Sequence, residues 1–226
     1  MLRFVNPNPT QLARCRTGAQ EFDFGCGPRL PSQASLREAP RVGGEGTSAN
    51  MGKGPKVLLT GRPGVGKTTV IRRFLACTRV EAGGFYTQEI RREGRRLGFS
   101  LNLLSGERHI LASVEISGPW RVSKYGVDVR TFEAAAVPEI EKAIATENLV
   151  VVDEIGKMEL FSERFREVVR LAFDSSAPVL ATILSRPHPF ADELRNRGDV
   201  SLVEVTLTNR ETLPRDLAER FGLPFT

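Results

Sequence analysis

The stretch Gly61-Arg62-Pro63-Gly64-Val65-Gly66-Lys67-Thr68 constrains this chain more than any other feature. It fits the spacing GxxxxGK[ST] at every fixed position. It follows an apolar run, Lys56-Val-Leu-Leu-Thr60, and precedes a segment of helical period over Thr68–Arg79. A strand that turns through glycines into a helix aims consecutive backbone N–H groups at one anionic centre, with the helix dipole behind them. Lys67 then reaches the β- and γ-phosphates of a nucleotide, and the Thr68 hydroxyl ligates Mg²⁺. An ordinary glycine-rich turn with an incidental lysine requires neither flank. Arg62 is placed to assist the γ-phosphate, although its loop position more often faces outward.

A second constellation lies at Val150-Val151-Val152-Asp153-Glu154. The continuous apolar run Leu149–Asp153 suits a central parallel strand covered on both faces. An acid at the end of such a strand is costly without a cationic partner. A magnesium ion beside Asp153, bound through a water, removes that cost. Glu154, one residue on, is expected to point to the other side and to polarise an attacking water. The plainer alternative has the two acids ending a strand and pairing with Lys157.

Weaker candidates surround these two. Thr182, near the end of the next strand, is either a γ-phosphate sensor or an ordinary β-branched strand residue, and the second reading is preferred. Lys157 either bridges phosphates or pairs with Glu154 or Glu159. Arg91, Arg92, Arg95 and Arg96 form a hairpin tip that grips phosphates, RNA ends or a partner, or more simply discourages edge-to-edge pairing. Asn209-Arg210 borders the base or caps a helix. His109 and His188 have no metal or nucleophile partner in sequence and receive no chemistry.

From Lys56 onward strands and helices alternate, which predicts an α/β domain with a mainly parallel sheet flanked by helices. Gly84–Ile90 and Leu97–Leu104 around Gly94 read as an antiparallel hairpin. Helical signal covers Thr131–Ala145, with Pro138 kinking it or opening a second helix. Ser162 is the expected N-cap of the next helix, whose apolar positions are Phe161, Phe165, Val168, Val169 and Ala172. Strands at Val179–Ile183 and Ser201–Thr206 and helices near Phe190–Asn196 and Glu211–Arg220 complete the pattern. The adjacent Asp153-Glu154 pair points to the RecA-like, additional-strand class of phosphate-loop domains, in which an extra strand separates the loop strand from the Asp153 strand.

Residues 1–52 are rich in Pro, Gly, Ser, Asn and Arg and keep no period, so a disordered or optional leader is expected there, with the domain over 53–226. The net charge of +5 is spread along the chain and gives no strong case for nucleic acid. Three cysteines (Cys15, Cys26, Cys77) and two histidines support neither a disulfide framework nor a zinc site. Cys77, among apolar helical neighbours, reads as a buried free thiol. No apolar run is long enough to span a membrane. A cytoplasmic location is expected. Arg3, Arg14 and Arg16 are the transit-peptide signal within residues 1–20, and Pro7, Pro9 and the lack of serine there weigh against it. The oligomeric state is left open.

With both motifs read, the stretches Gly61–Thr69, Gly84-Phe-Tyr-Thr-Gln-Glu-Ile90, Gly94-Arg-Arg-Leu-Gly-Phe99, Tyr125-Gly-Val-Asp-Val129 and Asp153-Glu-Ile-Gly-Lys-Met-Glu-Leu-Phe-Ser162 together resemble one family. It is the small nucleoside-triphosphatase family first named from a thermophile, whose animal members are called cancer-related nucleoside-triphosphatase. The resemblance runs from about Lys56 to Leu213. It implies Mg²⁺-dependent hydrolysis of ATP, GTP and other triphosphates to diphosphate and phosphate, with little base selectivity. It also implies that Gly61–Thr69 and Leu149–Gly156, Ile155 included, line the nucleotide, with Lys67 and Glu154 essential. A nucleotide or polynucleotide kinase, or a switch timed by slow hydrolysis, are the rival readings. No arginine finger is evident in sequence, which points to slow turnover. Because nothing in the family calls for residues 1–50, deleting them is expected to leave phosphate release intact; a large loss of activity in the truncated protein refutes the leader reading.

Overall fold

The computed structural model describes residues 53–226. The leader expected to lack order, with Cys15 and Cys26, lies outside the described residues. The elements in chain order are β1 (Lys56–Thr60), α1 (Lys67–Thr78), β2 (Ala82–Arg92), β3 (Arg95–Leu103), β4 (Arg108–Ser113), β5 (Arg121–Val122), β6 (Tyr125–Val127) and α2 (Val129–Ala145). After these come β7 (Leu149–Ile155), a 3₁₀ turn at Glu159–Phe161, α3 (Glu163–Asp174), β8 (Val179–Ile183), α4 (Pro189–Arg195), β9 (Val200–Glu204) and α5 (Leu213–Arg220).

Among the described residues the strands form one sheet in the order β5-β6-β4-β3-β2-β7-β8-β1-β9. β8 therefore separates the loop strand β1 from the Asp153 strand β7, as the additional-strand class requires. From β2 to β9 all neighbours are parallel, and from β2 to β5 all are antiparallel. The antiparallel arm is thus larger than the single expected hairpin. Its outer strands are short, and β4 alternates an exposed Ile110 with buried Leu111 and Ala112, so neither a long apolar run nor a clean period announces them.

The sheet carries a core on each face. On one, Val57, Leu59, Leu149, Val151 and Leu180 pack under α1 and α5. On the other, Leu58, Val150, Val152, Ala181 and Ile183 pack under α2, α3 and α4. The pleat sends successive residues of each strand to opposite faces, so a strand covered twice must be apolar throughout. The rings of Phe85, Phe132 and Phe165 meet at centroid separations of 5.1–6.0 Å and lock α2 and α3 onto β2. Lys56, also buried, points its ammonium at the carbonyls of Ala172 and Ala177 at the end of α3.

Two local expectations are corrected. Pro138 opens no second helix; it sits on the exposed side of a continuous α2. It forfeits one backbone donor, while Phe132, Ala136, Ile140 and Ala143 anchor the turns on both sides of it. Cys77 is only partly buried, because the inward positions of α1 are Val70, Ile71, Phe74 and Thr78. Ser162, by contrast, caps α3 as expected: its Oγ accepts from the Phe165 N–H at 2.9 Å and donates to Glu133 at 2.6 Å. Ser162→Ala is expected to lower unfolding stability by about 1–2 kcal/mol in urea titrations, and an unchanged midpoint removes the cap from the account.

Candidate active site

The C-terminal ends of β1, β7 and β8 converge, which is where an open parallel sheet presents its loops to ligands. β1 leads into the glycine loop and then α1. Gly61 has φ +140, and a Cβ there would stand 2.6 Å from the Val205 carbonyl oxygen. Gly66 caps α1 at φ +113 with no side-chain hydrogen bond, and the first turn contains no acid. The leading N–H groups of α1 are thereby left facing outward with favourable dipole. Arg62, Pro63 and Gly64 are exposed, while Val65 packs on the core beside Leu59.

The loop and the two strands are stitched together at Asp153, which is 1% exposed. Thr68 Oγ1 donates to Asp153 Oδ2 and Thr182 Oγ1 donates to Asp153 Oδ1, each at 2.6 Å. Burial raises the Asp153 carboxyl above its ordinary range, against the hydrogen bonds from Thr182 and Thr68 and the charge of Lys67. Lys67 Nζ lies 3.4 Å from the Gly61 carbonyl and 3.8 Å from Glu154 Oε1. Burial also raises Glu154, with Lys67 opposing and Asp153 reinforcing the shift.

Glu154 was expected on the side opposite Asp153. Instead both carboxyls face the loop: Asp153 meets Thr68, and Glu154 meets Lys67. Val152 pairs with Ala181 but Ile155 pairs with Ile183, so β7 carries an extra residue across Asp153-Glu154. Such a bulge re-aims side chains that strict alternation would separate. The side chains of Leu149, Val150, Val151, Val152 and Ile155, expected to line the nucleotide, are buried in the two cores. They fix the strand, and Asp153, Glu154 and Gly156 emerge from its end.

The other candidates divide. Thr182, set aside as an ordinary strand residue, is fully buried and orients Asp153. Lys157 is exposed and, among the described residues, makes no ion pair with Glu154 or Glu159. Arg91 and Arg96 both pair with Glu89, and Arg96 stacks over Phe99 at 5.6 Å. Asn209 bonds the turn around Thr206, whereas Arg210 reaches the Val65 carbonyl at 3.4 Å. Together with Gly66, Thr69 and Arg73, Arg210 lines a small cavity beside the head of α1. His109 and His188 lie apart from the loop, beside Glu107 and Asp192.

A larger cavity of about 380 Å³ opens in front of the loop, lined by Gly61, Lys67, Glu154, Lys157, Glu159, Arg186 and Phe99 among others. The sequence offered Glu159 only as a partner for Lys157 and gave no sign of Arg186; the one available signal was an acid embedded in the Asp153–Ser162 string. Burial pushes the Glu159 carboxyl up to about 8, helped by the charges of Glu154 and Asp153 and opposed by its own backbone N–H and that of Gly156. The native protein holds this proton, and the unfolded chain releases it near 4.5. The resulting stabilisation is complete below the unfolded value and is lost as pH rises through about 8. Without nucleotide or metal, Glu159→Gln should therefore flatten the decline in urea stability between about pH 5 and pH 9, by up to about 1.4 kcal/mol per pH unit. Equal slopes for variant and parent rule out a protonated Glu159.

Comparison with known proteins agrees with this geometry. A family model described as NTPase matches residues 56–218. The nucleoside-triphosphatase THEP1 of Thermotoga petrophila is 47% identical over 162 residues, covering 72% of this chain and 90% of the relative. The human cancer-related nucleoside-triphosphatase is 39% identical over 177 residues, covering 71% of this chain and 93% of the relative. The crystal structure of THEP1 from Aquifex aeolicus superposes with a TM-score of 0.68 at 36% identity, covering 74% of this chain and 98% of that one. The loop, the Asp153 strand and the intervening β8 all lie inside the matched span, and the chain belongs to the NTPase family of nucleoside-triphosphatases.

Proposed function

We propose that this chain hydrolyses ATP, GTP and other nucleoside 5′-triphosphates to diphosphate and phosphate, with little regard for the base and with Mg²⁺ as cofactor. The observation that carries the reading is the placement of the Glu154 carboxyl 3.8 Å from the Lys67 ammonium, in the wall of the cavity in front of the loop. The N–H groups at the head of α1 hold the phosphates, and Lys67 lies against the charge that develops on the transferring phosphoryl group. Glu154 orients the attacking water and accepts its proton, a role strengthened by the burial that raises its basicity.

Magnesium fits the residues present. Thr68 and Asp153 offer oxygen donors that already meet at 2.6 Å. The Asp153 carboxylate has only hydroxyl and backbone partners in direct contact, with Lys67 acting through space. Hard oxygen ligands in a small number suit a cation that keeps most of its waters. Held there, the ion would supply positive charge to the phosphates. Thr182 keeps the second oxygen of Asp153 occupied and so fixes its orientation.

A polynucleotide-kinase reading needs free cations at the hairpin tip, and the pairing of Arg91 and Arg96 with Glu89 removes half of them. Arg62, exposed and outside the cavity, is not assigned a part.

Phosphate release from a panel of triphosphates, with and without magnesium, tests the reading. Glu154→Ala should retain nucleotide binding and lose release by roughly 10²–10⁴-fold, whereas Lys67→Ala should weaken both. Undiminished release from the Glu154 variant gives the water to another group, and failure of the parent to bind any triphosphate with magnesium ends the proposal.

A further inference from the structure

Hydrolysis needs room for one water, whose share of liquid volume is about 30 Å³. The cavity in front of the phosphate loop, lined at one end by Gly61, Pro63 and Lys67, measures about 380 Å³, room for a γ-phosphate and for a small organic molecule beside it. Its walls are also wrong for a water channel. Phe99 from β3, Leu111 from β4 and Val122 from β5 line one side, and Met158 and Leu184 another. Apolar surface left facing water forgoes about 25 cal/mol for each Å², so a wall of this kind is stabilised by an apolar occupant.

The polar groups are arranged asymmetrically. Lys157 and Arg186 are exposed and stand at the rim. Deeper in, two carboxyls face each other across Gly156: a Cβ on that residue would lie 2.9 Å from Glu159 Oε2 and 3.6 Å from Glu154 Cδ. Glycine leaves this gap open where any side chain would fill it. The Lys67 ammonium, 3.8 Å from Glu154, is drawn to the phosphates once a nucleotide binds. With a triphosphate in place the inner cavity carries the charges of the γ-phosphate and of Glu154 beside a protonated Glu159, so an anionic occupant meets like charge there.

We infer that the cavity is an acceptor site for a small alcohol with an apolar or aromatic body, uncharged or cationic, to which the γ-phosphoryl group is transferred in competition with water. The inference rests on the nucleotide site proposed above. The acceptor hydroxyl sits where the water would sit, beside Glu154, with its body against Phe99, Leu111 and Val122. Its oxygen forms a bond to the γ-phosphorus as the bond to the β,γ-bridging oxygen breaks. The nucleoside diphosphate leaves with that electron pair, and the hydroxyl proton passes to the Glu154 carboxylate. The products are a phosphate monoester and the nucleoside diphosphate.

The test follows γ-labelled ATP in the full chain with magnesium and three probes that share a phenyl ring and a hydroxyl: 2-phenylethanol, 2-amino-1-phenylethanol and mandelate. Labelled ester is expected from the neutral and the amino alcohol, at least about tenfold above that from mandelate. Val122→Trp, which fills the cavity from its half-buried rim, should lower the ratio of ester to inorganic phosphate by about tenfold or more. Inorganic phosphate as the sole labelled product with all three probes overturns the acceptor site and leaves hydrolysis standing. Ester formed equally well or better from mandelate overturns the charge selection, as does an unchanged product ratio in Val122→Trp for the cavity. Release of neither phosphate nor ester defeats the nucleotide reading itself.

Discussion

A carboxylate withdrawn from water at the tip of a central strand has to be satisfied, and two threonine hydroxyls do it from opposite sides. Thr68 arrives from the head of α1 and Thr182 from the end of β8, each 2.6 Å from one oxygen of Asp153. An orphaned carboxylate at that depth would cost several kcal/mol. The requirement therefore ties the loop, β7 and β8 into one unit. It also gives the inserted strand a purpose: β8 lies directly between β1 and β7, so its last residues reach Asp153 from one flank while the loop approaches from the other.

Around that anchor the molecule separates two jobs. The central parallel strands β1, β7 and β8, largely apolar and covered on both faces, fix the loop glycines and the two acids. The antiparallel arm makes no direct bond to Asp153 through a side chain; it supplies wall rather than chemistry, with Phe99, Leu111 and Val122 turned toward the space in front of Glu154. Strand ends give precision to groups that must meet a phosphate, and the arm shapes what can stand opposite it.

The parts legible in the sequence were those in which a local pattern and a chemical demand coincide. Gly61–Thr68 is contiguous, so its spacing could be read directly. Val150–Asp153 combined a buried run with an acid that needed a partner. Thr182 was passed over because its identity is commonplace; only the register that sets Leu59 beside it, and Ala181 opposite Val152, reveals what its hydroxyl touches. The aim of Glu154 escaped for a related reason, since strict alternation holds until a strand gains a residue. Glu159 and Arg186 were hidden because a cavity is assembled from segments far apart in the chain. The outer strands β4 to β6 are too short to leave a period.

The pairing of β1 bears on how the protein comes into being. Its neighbours are β8 and β9, whose partners for Lys56 are Val179 and Val200. The hairpin arm can close locally, but the strand that launches the phosphate loop is held on both sides by segments made more than a hundred residues later. Contacts of such long sequence separation form slowly, because the entropy of closing the chain is lost before they reward it. While the ribosome is still at work, then, the loop has been synthesised but has no neighbours. Nucleotide cannot chaperone the early stages of folding through this site, and any stabilisation by ligand arrives only once the last third of the domain has docked.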